Sequence, residues 1–201
     1  MKRRRILLAA PLLALVLAAG GCDKLPGTGK PPFHGTDVTG MQAGDALRLD
    51  DSEGRPRTLA DFRGKVVAVT FGYTDCPDVC PTTLQDWAQA MKKLGPDASR
   101  VQFLFVSVDP ARYTPERLGA YVHGFDPRFV GLRGDAKSTD AAAKDFHVYV
   151  EIQPGKNADA YTVNHSSQVF VFDPSGKLRL MEAAGTSPDD IAGDVRALLA
   201  S

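Results

Sequence analysis

Hydrophobic and polar positions follow two different periods along this chain, and the change from one to the other predicts its elements. Residues 66–71 and 101–108 form continuous apolar, β-branched runs, which are typical of strands buried on both faces. Residues 169–172 form a third run, which turns back into a partner strand at residues 178–181. Near the start, apolar residues alternate on both sides of a turn at residues 51–54 and predict a small hairpin.

Helical spacing separates these runs. Thr114 and Ser187 each precede a proline and predict the starts of two helices, because a hydroxyl caps the helix and proline fits its first position. A further helix is predicted at residues 137–146. A fourth starts at Pro81, stops at Gly95 and carries one apolar stripe, formed by Leu84, Trp87, Ala88, Met91 and Leu94.

The last part of the pattern is a strand at residues 147–151 followed by a polar loop at residues 153–166. Early βαβ units followed by a late hairpin and a terminal helix are the order expected of a thioredoxin-like domain. We therefore predict an α/β, thioredoxin-like fold. Its mixed central sheet is flanked by helices, and the small hairpin lies at its N-terminal end.

The N-terminus has the composition of an export signal. Four cations at residues 2–5 precede 14 apolar residues at 6–19, fewer than the roughly 20 that a membrane-spanning helix needs. Residues 17–22 are similar to a bacterial lipoprotein processing box, which predicts that Cys22 becomes the lipid-bearing first residue. Ordinary signal cleavage near Ala19 and an uncleaved anchor are the alternatives.

An acylated cysteine would hold the mature protein on a membrane without a spanning helix. We therefore predict a lipoprotein-type signal peptide at residues 1–21, a flexible Pro/Gly-rich tether at 22–38 and a folded domain at 39–201. The expected location is the cell membrane, lipid-anchored and facing the periplasm or another extracytoplasmic space. Asp23 resembles the signal that retains some Gram-negative lipoproteins in the inner membrane, and inner and outer membranes both stay open.

Charge excludes one class of partner. The chain has 24 Lys and Arg against 24 Asp and Glu, and removal of the cations at residues 2–5 leaves it mildly acidic. Binding to nucleic acid would need a basic excess to neutralise phosphates, so we expect none. A hydrophobic fraction of 43% is ordinary for a globular protein with one core.

Two of the three cysteines, Cys76 and Cys80, lie four residues apart between the first buried strand and the first long helix. A disulfide across so short a loop adds little stability, which makes a structural role the weaker explanation. Ligands bind where the strands of an α/β sheet end, and a helix start stabilises a thiolate. Redox exchange and metal capture both remain open.

A histidine could complete a metal site. Two thiolates can hold Cu(I), whereas a site that also accepts Cu(II) normally includes an imidazole. His165 is the candidate, because it comes just before the strand at residues 169–172 and could reach the strand ends. His34, His123 and His147 are expected to be surface or structural residues.

The chain also resembles a known family, the Sco/SenC family of membrane-tethered copper proteins, over nearly all of residues 60–180. This resemblance implies a thioredoxin-like fold that binds one copper ion through Cys76, Cys80 and His165. It also implies a role in maturing the binuclear copper site of cytochrome c oxidase, by copper delivery, by reduction of that site's cysteines, or by both. The residues that carry it are Phe71-Gly72-Tyr73-Thr74-Asp75-Cys76-Pro77-Asp78-Val79-Cys80-Pro81-Thr82, Val106-Ser107-Val108-Asp109-Pro110, Thr114-Pro115-Glu116 and Asn164-His165-Ser166.

The chain departs from the family pattern at two positions. Asn164 stands where the family usually has an aspartate, and Tyr113 stands where it has an acid. Loss of a carboxylate next to a ligand could alter the orientation of the histidine and the preference between Cu(I) and Cu(II). Asp75, Asp78 and Asp109 could tune the charge near the metal or contact partners, and exposed loop acids or a helix cap are the simpler interpretations.

Other functions compete with this one. A thiol–disulfide oxidoreductase or redox sensor would need Cys76 and Cys80 but not His165. A peroxidase is weaker because the chain lacks the Pro-x-x-x-Thr-x-x-Cys pattern of peroxiredoxins, and a closed zinc site usually has a fourth ligand. A Cys76–Cys80 disulfide would abolish metal binding, so we also expect a thioredoxin-type reductant as a partner, beside the copper-site subunit of cytochrome c oxidase.

Overall fold

The computed structural model describes residues 33–156 and 160–201, which form ten strands and four α-helices. The predicted signal peptide, the predicted lipid-bearing Cys22 and most of the predicted tether lie outside the described residues. In chain order the elements are β1 (Thr36–Asp37), β2 (Leu49–Asp51), β3 (Pro56–Arg57), β4 (Val66–Gly72), α1 (Val79–Leu94), β5 (Val101–Ser107), α2 (Pro115–His123), β6 (Val130–Arg133), α3 (Ala136–Asp145), β7 (Val150–Gln153), β8 (Thr162–His165), β9 (Val169–Phe172), β10 (Leu178–Glu182) and α4 (Pro188–Leu199).

Eight of the strands form one mixed sheet in the order β1-β10-β9-β4-β5-β6-β2-β3. β4, β5 and β6 run parallel, and β9 lies antiparallel on the other side of β4. Every residue of β4 and β5 is buried, as their continuous apolar runs predict. The predicted hairpin is confirmed, since β2 pairs with β3. β6 was missed, because four residues that include Gly131 and Arg133 make too short an apolar run.

Alternate residues of β4 face two separate hydrophobic layers. Val66 and Ala68 pack on one side with α1, α2 and α4. Val67 and Val69 pack on the other side with α3 and a short 3-10 helix at Leu59–Phe62. This alternation places the central sheet between helices on both faces. The predicted mixed sheet flanked by helices is confirmed.

The helix starts follow the predicted capping residues. Thr114 Oγ1 accepts a hydrogen bond from the Arg117 amide at 3.3 Å, and Ser187 caps α4 in the same way. α1 begins at Val79, two residues earlier than the periodicity predicts. Pro81 therefore lies in the first turn of α1, where its missing N–H costs no intrahelical bond.

The predicted tether is wrong at its C-terminal end, because the chain joins the fold before residue 39. Phe33 is 8% exposed and belongs to the hydrophobic layer of α1 and α4. β1 pairs with β10, and the Gly35 amide donates to buried Asp194 at 2.7 Å. Proline and glycine are typical of a tether, but one aromatic side chain and a row of backbone donors are enough to dock this segment.

The predicted polar loop at residues 153–166 is also partly wrong. Its last residues form β8, which pairs antiparallel with β7 in a separate two-stranded sheet. The strand predicted before this loop, at residues 147–151, begins in the structure at Val150, three residues later than predicted. Val163 is the one buried residue of β8, so its sequence shows no apolar period. Within the described residues, no helix has the length and hydropathy to span a bilayer.

Candidate metal centre

Both cysteines lie where β4 passes into α1. The Cys76 amide donates to the Tyr73 carbonyl at 3.2 Å, which turns the chain as it leaves the sheet. Cys76 is half-buried in this loop, and Cys80, in the first turn of α1, is 4% exposed. The four-residue spacing thus places one accessible and one enclosed sulfur at the same strand end, and both are free thiols.

His165 is the last residue of β8 and reaches the same strand end. Its Nε2 lies 3.4 Å from Cys80 Sγ, and its Nδ1 lies 2.9 Å from the carbonyl oxygen of Ser166. A carbonyl only accepts, so Nδ1 is the donor in this bond, and Nε2 is the ring nitrogen that faces the sulfurs. The Tyr73 ring packs edge-on against the imidazole at 5.9 Å between centroids, which limits its rotation.

The ligand atoms of Cys76, Cys80 and His165 all lie within 4.8 Å of one another. They form the one group of three metal-ligating side chains found in the described residues. His34 instead contacts Asp194 through Nδ1 at 3.0 Å, and His123 and His147 are exposed. Two sulfurs and an imidazole are a donor set suited to copper, because soft thiolates select Cu(I) and imidazole also suits Cu(II).

The two thiols differ strongly in acidity. A hydrogen bond from the Cys80 thiol lowers the pKa of Cys76 to about 4, assisted by the backbone amides of Asp78 and Cys80 at the helix start. The same hydrogen bond and burial raise the pKa of Cys80. Near neutral pH the metal-free site therefore holds one thiolate, on Cys76, and one thiol. Binding a metal through both sulfurs would release the remaining proton.

The three acids named from the sequence lie in different environments. Asp75 is exposed and pairs with Arg117 at 3.1 Å. Asp78 is exposed at the N-cap position of α1 and makes no side-chain cap bond. Asp109, in contrast, is 4% exposed. It accepts hydrogen bonds from Arg112 and, at 2.6 Å, from the Tyr161 hydroxyl.

Sequence reasoning missed Arg112 and Tyr161. Arg112 Nη1 donates to the Tyr161 carbonyl at 2.9 Å, and the guanidinium lies 3.7 Å from the centroid of the Tyr161 ring. The two residues are 49 positions apart, so no local pattern links them.

The structure also places the two residues that depart from the family pattern. Tyr113, which stands where the family has an acid, is buried, and the centroid of its ring lies 4.8 Å from the Arg117 guanidinium. Asn164 is exposed beside His165.

Comparison with known proteins identifies the family. The family model described as SCO1/SenC matches residues 37–200, which is most of the chain. The chain belongs to the SCO1/SenC family. It is 35% identical over 155 residues to the mitochondrial protein SCO2 homolog of Mus musculus, covering 76% of this chain and 61% of the relative. The chain thus spans about three fifths of the length of the curated relatives it matches first.

Solved structures of SCO1/SenC proteins agree with this assignment. The apo Sco1 protein of Thermus thermophilus is 38% identical, with a TM-score of 0.76 over 83% of this chain and 97% of its own. ScoI of Bradyrhizobium japonicum, solved with copper bound, is 32% identical, with a TM-score of 0.71 over 82% and 99%. A SCO1/SenC family lipoprotein from Bacillus anthracis is 26% identical, with a TM-score of 0.68 over 80% and 97%. The predicted thioredoxin-like fold is confirmed.

Proposed function

We propose that this protein is an extracytoplasmic copper-binding protein that assists assembly of the binuclear copper site of cytochrome c oxidase. The observation that carries the proposal is the meeting of Cys76, Cys80 and His165, whose ligand atoms lie within 4.8 Å of one another. It is supported by membership of the SCO1/SenC family and by the 32% identity to a ScoI structure with copper bound. The recipient would be the copper-site subunit of the oxidase.

The site fits one copper ion per chain, as cargo that the protein accepts and passes on. Cys76 and Cys80 would bind it as thiolates, and His165 would bind it through Nε2 while Nδ1 stays bonded to the Ser166 carbonyl. Two soft sulfurs suit Cu(I), and the imidazole extends the site to Cu(II). Cys76 is the accessible ligand, so an incoming partner would meet its sulfur first.

A second function, thiol–disulfide exchange, is favoured by the unequal acidity of the two cysteines. The Cys76 thiolate would attack a partner disulfide and release one partner sulfur as a thiolate. Cys80, after losing its proton, would then attack Cys76 and release the second. Two electrons pass to the partner, and a Cys76–Cys80 disulfide remains. Because this disulfide cannot bind copper, a thioredoxin-type reductant would have to restore both thiols.

The location proposed for the protein is the extracytoplasmic face of a cell membrane, with a lipid on Cys22 after removal of residues 1–21. This rests on the basic and apolar N-terminal sequence and on its similarity to a lipoprotein processing box. The Bacillus anthracis relative is described as a lipoprotein, which supports a lipid anchor. Labelling of the protein with a radioactive or alkyne fatty acid tests the lipid anchor. We expect the wild type to be labelled and Cys22→Ala to carry no label.

Metal analysis of the reduced protein tests the function. We expect one copper per chain and a thiolate-to-Cu(II) absorption that is lost in Cys76→Ser, Cys80→Ser and His165→Ala. His147→Ala, which changes an exposed histidine, is the matched control and should bind as the wild type does. If His165→Ala keeps full reductase activity and the wild type binds no copper, thiol–disulfide exchange is the function instead.

A further inference from the structure

The strand that carries His165 lies outside the main sheet. β8 pairs only with β7, and this two-stranded hairpin shares no strand ladder with the eight-stranded sheet in the described part of the chain. The cysteines, in contrast, follow β4 at the centre of that sheet. The distance between His165 and the sulfurs therefore depends on the contacts that fasten the hairpin to the body of the domain.

Two of those contacts are made by one residue, Tyr161, which directly precedes β8. Its carbonyl accepts from Arg112 Nη1 at 2.9 Å, and its hydroxyl donates to Asp109 Oδ1 at 2.6 Å. Arg112 Nε also donates to Asp109 Oδ2, which closes a ring of three hydrogen bonds. His165 adds a contact at the far end of β8, where its Nε2 lies 3.4 Å from Cys80 Sγ.

We name Asp109, Arg112 and Tyr161 the Arg112 clamp. It is enclosed, since Asp109 is 4% exposed and the Arg112 side chain 16% exposed. The guanidinium also stacks on the Tyr161 ring at 3.7 Å from its centroid. Hydrogen bonds between charged groups are strong when water is excluded. Burial and the bond to Asp109 raise the pKa of Tyr161 to about 12, so its hydroxyl keeps the proton it donates.

The other end of the clamp is attached to the strand ends that support the cysteines. Asp109 follows β5, and β5 pairs in parallel with β4 up to Ser107 opposite Gly72. The Val108 amide continues this pairing by donating to the Gly72 carbonyl at 2.9 Å. One short path therefore runs from the cysteine loop through the β4–β5 edge and the clamp to β8.

We propose that Asp109, Arg112 and Tyr161 are positioning residues that hold His165 over Cys76 and Cys80, so that the imidazole is in place for Cu(II). This inference rests on the proposed function only in naming copper as the ion bound. Two sulfurs alone can hold Cu(I), so loss of the clamp should weaken Cu(II) binding more than Cu(I) binding. Removing a residue that orients a ligand typically costs about 10- to 100-fold in metal affinity.

The test uses Tyr161→Phe, which deletes the hydroxyl alone, and Arg112→Ala, which removes the centre of the clamp. Tyr149→Phe is the matched control, because Tyr149 is 57% exposed beside the same hairpin and lies outside the clamp. In the metal-free protein we expect amide exchange at Val163 and His165 to accelerate at least about 10-fold in Arg112→Ala, and less in Tyr161→Phe. With copper, we expect about 10-fold weaker Cu(II) affinity, a shifted thiolate-to-Cu(II) absorption and a smaller change for Cu(I).

Unchanged amide exchange and an unchanged Cu(II) absorption in both variants would contradict the positioning role of the Arg112 clamp. So would equal losses of Cu(I) and Cu(II) affinity that track a lower midpoint of unfolding, since that pattern means general stabilisation. A wild-type protein that binds no copper would defeat the proposed function instead. The exchange rates of the metal-free variants would still decide whether the clamp holds β8.

Discussion

Gly72 lies directly against Cys80, so closely that a Cβ atom on Gly72 would stand 2.7 Å from Cys80 Sγ. The same atom would come within 2.8 Å of the Phe105 ring. Real Cβ atoms do not approach other heavy atoms so closely, and the interior around them is close-packed. A side chain at position 72 would therefore displace the enclosed sulfur of the metal centre.

Gly72→Ala should therefore damage the site more than the fold. We expect at least about 10-fold weaker copper affinity, since the sulfur moves, and about 1–3 kcal/mol lower free energy of unfolding from overpacking. Copper titration and urea unfolding measure the two effects. Gly193→Ala in α4 is the control, because its Cβ would meet only His34, at 3.7 Å, and alanine is the better helix former. Wild-type copper affinity in Gly72→Ala would contradict the close approach.

Cys76 should react with iodoacetamide well below the pH at which ordinary thiols do. A hydrogen bond from Cys80 lowers the pKa of Cys76 to about 4, so the thiolate persists through mildly acid pH. Mass spectrometry of the reduced, metal-free protein should show modification at Cys76 first, since Cys80 is buried with a raised pKa.

The variants at position 80 test the cause of this acidity. Cys80→Ala removes the donor and should move the pH midpoint of Cys76 alkylation upward, whereas Cys80→Ser keeps a hydroxyl donor and should move it less. Equal midpoints in the two variants would mean that the helix start, rather than Cys80, sets the pKa of Cys76.

Stability should fall as pH rises from about 5 to 8 because of Glu182. Burial, and then the neighbouring Asp194, raise the pKa of Glu182 from its usual 4.5 to about 8, so its carboxyl is protonated in the folded protein and ionised in the unfolded chain. The unfolded state then binds fewer protons in this window, and the free energy of unfolding drops by at most about 1.4 kcal/mol per pH unit. The contribution is complete below about pH 4.5 and is lost by about pH 8.

Urea unfolding at several pH values measures this effect. Glu182→Gln should flatten the profile between pH 5 and 8, because an amide does not ionise. Glu116→Gln, at an exposed glutamate, should leave the profile as it is in the wild type. A wild-type profile that rises steadily from pH 5 to 8 would contradict the protonated Glu182.

Phe33 should stabilise the domain although it lies in a segment with tether-like composition. Its side chain is 8% exposed and packs in the layer of α1 and α4, so Phe33→Ala should cost about 3 kcal/mol of unfolding free energy. Thr36→Ala, at an exposed residue of β1, should cost little. Thermal or urea unfolding compares them. Equal stability of the two variants would place the start of the folded domain after residue 38.

The amino-acid sequence alone determined the elements whose burial follows a local rule. The runs of β4 and β5 are apolar because both faces of a central strand are covered, and the caps Thr114 and Ser187 satisfy amides a few residues away. The closeness of Cys76 and Cys80 is also local, because only four positions separate the two free cysteines. The sequence also carried the resemblance to the Sco/SenC family, through motifs that are contiguous.

Only the tertiary structure decided what joins these elements. Position alone made His165 a candidate, and the packing of the β7–β8 hairpin brought its Nε2 to 3.4 Å from a sulfur 85 residues away. The contacts of Arg112 with Tyr161, and of Phe33 with the helices, likewise join distant parts of the chain. The physical reason is that periodicity and capping act over a few residues, whereas a metal centre depends on distances set by the packing of the whole domain.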